Sequence, residues 1–400
     1  MNMRSIGTQA KVAGTFSVLL ILMPMLLGDV LARNPSTDWY SVAAILSHDE
    51  ALSAAHDVEL SGNLAFVPGK GGSLAIVDIS ELEKPNLLWF RHDKKGLEDA
   101  QTVLPFGQHL LLGTRDFFSV NISNPEAPIF VSKVASRSEG RIDRINGMVR
   151  RGNYVFAANK AGWIDAFDVT DINSPRLFGA LNVREKYEIL SPHDVDMYGE
   201  YVVIVNPNKF GRSPMGELAV FRVFDGDNEQ LLPPQKWKLE GLLKAKELRG
   251  ANRIQVSGSF VFTAGSFSPA VKKEDRGIYA NLGVVDISDP KRPRVVASQP
   301  FADTRKTRGP NGLTISGKVV FLAGGETIDA VDISNPHQPS RLGSQKLPAS
   351  NIKAHVSRRT DNAHDLVYRD GYLYVSCQSD NSLMILRITD RQILHLTDSI

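Results

Sequence analysis

Short apolar runs, each opened by a glycine, recur seven times along the chain: GNLAFV from Gly62, GQHLLL from Gly107, GNYVFA from Gly152, GEYVVI from Gly199, GSFVFT from Gly258, GKVVFL from Gly317 and GYLYVS from Gly371. A second phrase follows each in the same order: IVDIS ending at Ser80, VNIS at Ser123, FDVT at Thr170, FRVF at Phe224, VDIS at Ser288, VDIS at Ser334 and LRIT at Thr389. Runs rich in β-branched and aromatic residues, bounded by turn residues, predict strands; no stretch beyond the N-terminal region carries a long 3.6-residue period. The glycine suits the positive φ of a tight hairpin turn. Asn124-Pro125 with Pro128, Asp289-Pro290 with Pro293 and Asn335-Pro336 with Pro339 stop the strand that the second phrase forms and turn the chain.

Each unit therefore predicts a four-stranded antiparallel sheet. Successive glycines stand 45, 45, 47, 59, 59 and 54 residues apart, within or somewhat above the range for propeller blades. The expected fold is all-β, a seven-bladed β-propeller of four-stranded blades near 56–92, 100–134, 146–183, 193–239, 252–299, 311–347 and 364–400. Trp39 to Leu46 is expected to complete the seventh blade, with Ile393 to Ile400 a competitor or neighbour for that place. An open β-solenoid is the weaker alternative, because its repeats are usually shorter and lack a long outer-strand segment.

Composition narrows the class. Lys+Arg 46 against Asp+Glu 44 leaves no excess of positive charge for a nucleic-acid surface. A single cysteine excludes an intramolecular disulfide, a Cys-rich zinc site and an iron–sulfur cluster. Arg4 and Lys11 precede an apolar run from Val12 to Leu27, and Val30-Leu31-Ala32 offers small residues at the −3 and −1 positions of a cleavage site. This layout predicts a secretory signal peptide over 1–32. The run falls short of the ~20 residues of a spanning helix, and Pro24 interrupts it. An exported protein, periplasmic or secreted, is expected, with no membrane span after cleavage, and as a monomer.

The repeated phrases resemble the LVIVD-repeat family, β-propellers found largely in exported microbial proteins. The likeness is close in LAIVDIS at Leu74 to Ser80, LGVVDISDP at Leu282 to Pro290 and IDAVDISNP at Ile328 to Pro336. It extends over nearly the whole chain after the leader, except that in the fourth and seventh units Arg222 and Arg387 replace the Asp and the Pro pair is missing. That departure puts the outer strand of those two blades in doubt. The resemblance implies a fold and an export habit, and no particular activity.

Aligned, the innermost strands begin with His56-Asp57, Ala100-Gln101, Asn146-Gly147, His193-Asp194, Asn252-Arg253, Asn311-Gly312 and His364-Asp365, all expected at one level of a central channel. Three histidines from separate blades can hold a divalent metal ion through neutral imidazoles, with Asp57, Asp194 and Asp365 fixing their tautomers. With an open position such a site would be catalytic. Two other readings stand beside it: a structural phrase in which Asp accepts from backbone amides of neighbouring strands, and a metal-free polar ligand site that includes Asn146, Asn252, Arg253 and Asn311.

Long connections add candidate contacts on the same face. Asn206 to Gly216 and Ser266 to Asn281 are insertions carrying Phe210, Phe267 and Tyr279 with Lys209, Arg212, Lys272, Lys273 and Arg276. Arg305, Arg308, Arg358 and Arg359 lie in the connections entering blades six and seven. Guanidinium groups suit carboxylate, sulfate or phosphate oxygens, so an anionic small molecule or acidic glycan is an expected ligand. No GxSxG elbow or phosphate-binding Gly loop is present. The leading expectation is ligand or partner binding on the loop-rich face; the alternatives are a metal-dependent enzyme acting on a small or glycan-derived substrate, and a structural platform for an envelope-protein partner.

Overall fold

Alternate residues of each middle strand enter different apolar clusters. In Leu64–Gly69, Ala65 and Val67 face one cluster and Phe66 another; in Tyr201–Asn206, Val203 and Val205 face one, Val202 and Ile204 the other. Side chains alternate across a pleated strand. A strand that is apolar at every position must therefore be covered on both faces, and stacking sheet upon sheet does this. Seven such clusters occur, each shared by two successive blades, with the last and first also joined.

The computed structural model describes residues 38–134, 144–208, 214–226, 230–266, 281–302, 309–348 and 362–399. They form seven four-stranded antiparallel sheets arranged as a propeller ring. The innermost strands are Glu59–Ser61, Thr102–Phe106, Ile145–Arg151, Asp194–Tyr198, Ala251–Ser257, Gly312–Ser316 and Ala363–Arg369. Each is followed outward by three more, the third and fourth offset by a bulge in every blade, which adds the local twist a blade needs.

The seven hairpin glycines all have positive φ, between 51° and 80°. In blade one, Ser61 pairs with Leu64 across Gly62-Asn63, the two-residue loop with glycine first that matches strand twist. Blade seven differs: Arg369 pairs with Tyr372 across Asp370-Gly371, both at positive φ, the Asp-Gly type I′ alternative. The Asp of the second phrase also has a local function. Asp78, Asp168, Asp286 and Asp332 each accept from the backbone amide two residues on, which ends the strand in an Asx turn.

The outer strands doubted from sequence are present in both aberrant blades. In blade four the strand Lys238–Ala245 forms after an inserted hairpin of Phe224–Asp225 and Gln230–Leu231. Pro234 there fills the space left by Gly179 of blade three, where a β-carbon would collide with it. In blade seven the outer strand is Tyr40–Ser47, paired with Ser382–Ile388, and the Trp39 ring covers Gly343 of blade six in the same manner. The C-terminal residues Arg391–Thr397 form a short α-helix, capped by Asp390, so the tail does not compete for the strand position. Lys318 of blade six donates its amide to Leu396 of this helix (2.9 Å).

No disulfide contributes. Cys377 is buried among apolar neighbours, and burial pushes its thiol well up. Fully buried Phe66, Phe117, Phe156, Phe221, Phe262 and Phe321 contribute about 1.5–3 kcal/mol each to the packing between blades. Among the described residues no helix is long and apolar enough to cross a membrane.

Candidate functional site

Six residues before its turn glycine, or seven in blade seven, each innermost segment begins with a polar side chain: His56, Gln101, Asn146, His193, Asn252, Asn311 and His364. Their backbone positions are equivalent. His56, Gln101, His193 and Asn311 donate their amides to Pro68, Gly113, Val205 and Ala323, the matching residues of the second strands (2.8–2.9 Å). This corrects the alignment of blade two: Gln101, not Ala100, stands level with the histidines, and Thr102 stands level with Asp57. Except for half-buried His193, these side chains are buried, Gln101 completely.

The three histidines buckle neighbouring blades. His56 Nδ1 faces the Gln101 carbonyl (2.7 Å), His193 Nδ1 the Asn252 carbonyl (2.9 Å) and His364 Nδ1 the His56 carbonyl (3.0 Å). A carbonyl only accepts, so Nδ1 carries the proton in each and Nε2 of a neutral ring is an acceptor. Asn146 Nδ2 donates to His193 Nε2 (3.1 Å), and Asn252 Nδ2 donates to Asn311 Oδ1 (2.7 Å). Burial, followed by the nearby His364, holds His56 well below its ordinary pKa. The His56 and His364 rings lie tilted against each other with centroids 3.9 Å apart, whereas His193 belongs to blade four. Among the described residues no group of three or more His, Cys, Asp or Glu side chains is placed to hold a metal ion.

The hydrogen-bonded ring has a gap. His56 Nε2, both amide atoms of Gln101, Asn146 Oδ1 and Asn252 Oδ1 are buried and have no hydrogen-bond partner among the described residues. The first three of these residues come from consecutive blades.

One residue further along, charge replaces amide. Arg253 reaches from blade five to Asp365 (2.6 Å), Asp57 (3.4 Å) and Asp194 (3.8 Å), which belong to blades seven, one and four, and its Nη1 donates to the Asn146 carbonyl of blade three (3.3 Å). The aspartates expected to orient metal-binding histidines thus pair with an arginine instead. They also tie adjacent blades: Asp57 accepts from the Val103 amide and Asp194 from the Ile254 amide. Glycine follows asparagine in blades three and six because the next blade's aspartate occupies that space. A β-carbon on Gly147 would strike Asp194 Oδ1, and one on Gly312 would lie 2.5 Å from Asp365 Oδ1.

A cavity of about 340 Å³ lies at this level and inward of it, lined by all seven innermost segments, with Asp57, Glu59, Asp194, Asp196, Arg253 and Asp365 its charged residues. Burial raises the carboxyl pKa values: Asp194 to about 7 against the pull of Arg253, and Glu59 to about 8 with further help from Asp57. Asp365 is raised strongly by burial, partly offset by Arg253 and reinforced by its hydrogen bond to Asp57, and Asp196 is raised by burial. Burial opposes the charge of Arg253, but Asp365, Asp57 and Asp194 outweigh it and raise its pKa.

The structure therefore gathers Asn146, Asn252, Arg253, Asn311, the three histidines and the three aspartates at two adjoining levels of one channel. Arg305, Arg308, Arg358 and Arg359, and the aromatic and basic residues of the two insertions, lie outside the described residues. Glu59 and Asp196 escaped the sequence reading, and Gln101 entered it one level out of place. Gln101 was available from its spacing to Gly107; Glu59 and Asp196 share the position three residues after His56 and His193.

A family model described as "LVIVD repeat" matches residues 53–89 and 310–345, in blades one and six. No curated protein resembles the chain closely enough in sequence to count as a relative. Among solved structures, the WD40 β-propeller domain of Doa1 superimposes with a TM-score of 0.56 at 11% identity, covering 88% of this chain and 98% of that one. This likeness is one of fold.

Proposed function

We propose that this LVIVD-repeat β-propeller is a binding scaffold whose ligand site is the central channel, at the polar ring and the cavity beside it. Repeats of this kind are typical of exported proteins, and the leader layout over 1–32 supports action outside the cytoplasm, with cleavage after Ala32. The observation that carries the site is the gap in the ring: His56 Nε2, the Gln101 carboxamide, Asn146 Oδ1 and Asn252 Oδ1 are buried without partners among the described residues. A buried polar group left unmatched costs about 1–3 kcal/mol; a small polar molecule seated there recovers that cost.

The anionic ligand suggested by the basic connections fits the channel poorly. Among the described residues five carboxyl groups line it, and the one guanidinium there, that of Arg253, is already paired. A metal-dependent reaction finds no grouped ligand set among the described residues, so binding is the better-supported reading.

A thermal-shift screen of small polar compounds against the protein tests it. Compounds that bind in the channel raise the melting temperature of the native sequence and lose that effect in Gln101→Leu and Asn146→Ala. Compounds whose effect survives both substitutions bind elsewhere, and a screen yielding only those contradicts the channel site.

A further inference from the structure

We infer that the channel ligand is a small organic cation carrying an ammonium or guanidinium group, an inference that rests on the channel being the binding site. Two independent features on adjoining levels require the same chemistry. At the ring, partners fix the hydrogen-bonding roles. His56 Nδ1 donates to a carbonyl, leaving Nε2 an acceptor. Asn146 and Asn252 use their Nδ2 atoms on His193 and Asn311, leaving Oδ1. With Gln101 Oε1 these make, among the described residues, four unmatched ring acceptors against one unmatched ring donor, Gln101 Nε2. All four residues are at most 4% exposed, so a donor-rich group is what the ring lacks.

The second feature is charge. Among the described residues, Asp57, Glu59, Asp194, Asp196 and Asp365 line the cavity with Arg253 the one guanidinium beside them. Arg253 is engaged by Asp57, Asp194 and Asp365, while Glu59 and Asp196 stand outside those contacts. The surplus is therefore negative, and Coulomb interaction in a site removed from water favours a positive guest over a neutral or negative one. Size separates the possible cations. About 340 Å³ lies at the small end of small-molecule pockets and is roomy for a bare ion, and no His, Cys, Asp or Glu trio is grouped for one among the described residues.

Protons carry this surplus when no cation is bound, since Glu59 is raised to about 8 and Asp194 to about 7. An entering cation displaces them. Binding then releases protons and strengthens as pH rises.

Calorimetric titration of the full chain with 1,4-diaminobutane and agmatine, and with 1,4-butanediol, succinate and magnesium chloride, at pH 6.0 and 8.5 and constant ionic strength, tests this. The amines are expected to bind at least about tenfold more tightly at pH 8.5 than at pH 6.0 and at least tenfold more tightly than the diol or the dicarboxylate. Glu59→Gln, which keeps the side chain's shape, should lose most of that preference, as should Asp196→Asn, which keeps the acceptor for the Val256 amide. Diol binding equal to amine binding, lost in Gln101→Leu, would overturn the cation inference while leaving the channel as the site. Amine binding unchanged in Glu59→Gln and Asp196→Asn would place it elsewhere and overturn both. Magnesium binding without amine binding, or no amine binding at pH 8.5, would also overturn the inference.

Discussion

The Arg253 guanidinium lies 2.6 Å from the Asp365 carboxylate, although the two residues belong to blades five and seven. Through further contacts to Asp57 and Asp194, Arg253 draws blades one, four and seven to a common point. Replacing it by methionine leaves three buried carboxyl groups without their counter-charge. Loss of one partner from a buried ion pair typically costs about 3–5 kcal/mol. Urea unfolding of Arg253→Met at pH 8 should show a loss of that order, and a smaller one at pH 5, where protons take over the neutralisation. An equal loss at both values would mean that the side chain contributes packing alone.

The native protein should itself respond to pH in the same sense. Glu59 and Asp194 have folded-state pKa values of about 8 and 7, above their unfolded values of about 4. The native state then binds more protons than the unfolded state between those limits. The stability they contribute is complete below about pH 4 and is lost as pH rises through 7 and 8. The urea midpoint should fall from pH 5 to pH 8.5, and Glu59→Gln should flatten the upper part of that fall.

Gly147 and Gly312 are predicted to resist substitution despite ordinary backbone angles, because a β-carbon at either meets the aspartate of the next blade. Gly147→Ala should cost about 1–3 kcal/mol through overpacking. Much of that cost should disappear in the background of Asp194→Ala, which removes the obstructing carboxylate. A double-mutant cycle by chemical denaturation reads the coupling directly; simple additivity would show that the two residues do not crowd each other.

Gln345 clasps the strand that closes the ring. Its Oε1 accepts from the amides of Trp39 (2.8 Å) and Tyr40 (3.1 Å), and its Nε2 donates to the Tyr40 carbonyl (3.0 Å). Gln345→Ala should cost about 1–3 kcal/mol, with amide exchange quickened first over residues 39–47. Uniform acceleration through all blades would show that the closing strand is not the weak point.

Sequence disclosed the fold through one redundancy: a strand apolar at every position, opened by a turn glycine and repeated seven times, has few homes other than stacked blades. The His-Asp pairs were equally visible, but their chemistry was not, because a histidine that holds a metal and one that donates to a carbonyl are the same letter. Arg253 stands at an asparagine-led position with nothing local to announce that three distant aspartates converge on it. Gln101 stands six residues before Gly107, the spacing its counterparts keep, and its amide bond to Gly113 confirms the level that the pairing of Ala100 with the histidines had missed. Trp39 could be assigned to blade seven from its place ahead of the first repeat, but that it stands in for the missing proline over Gly343 required coordinates.

A crystal structure of the protein purified without added ligand, at a resolution that shows ordered waters and small molecules, bears most directly on the channel as the binding site. The expected result is density within hydrogen-bonding distance of His56 Nε2, Gln101 Oε1 and Asn146 Oδ1, from a bound molecule or from exchangeable waters that a channel ligand displaces. Ring side chains turned to pair with one another, leaving no unmatched atom and no density between them, would contradict it.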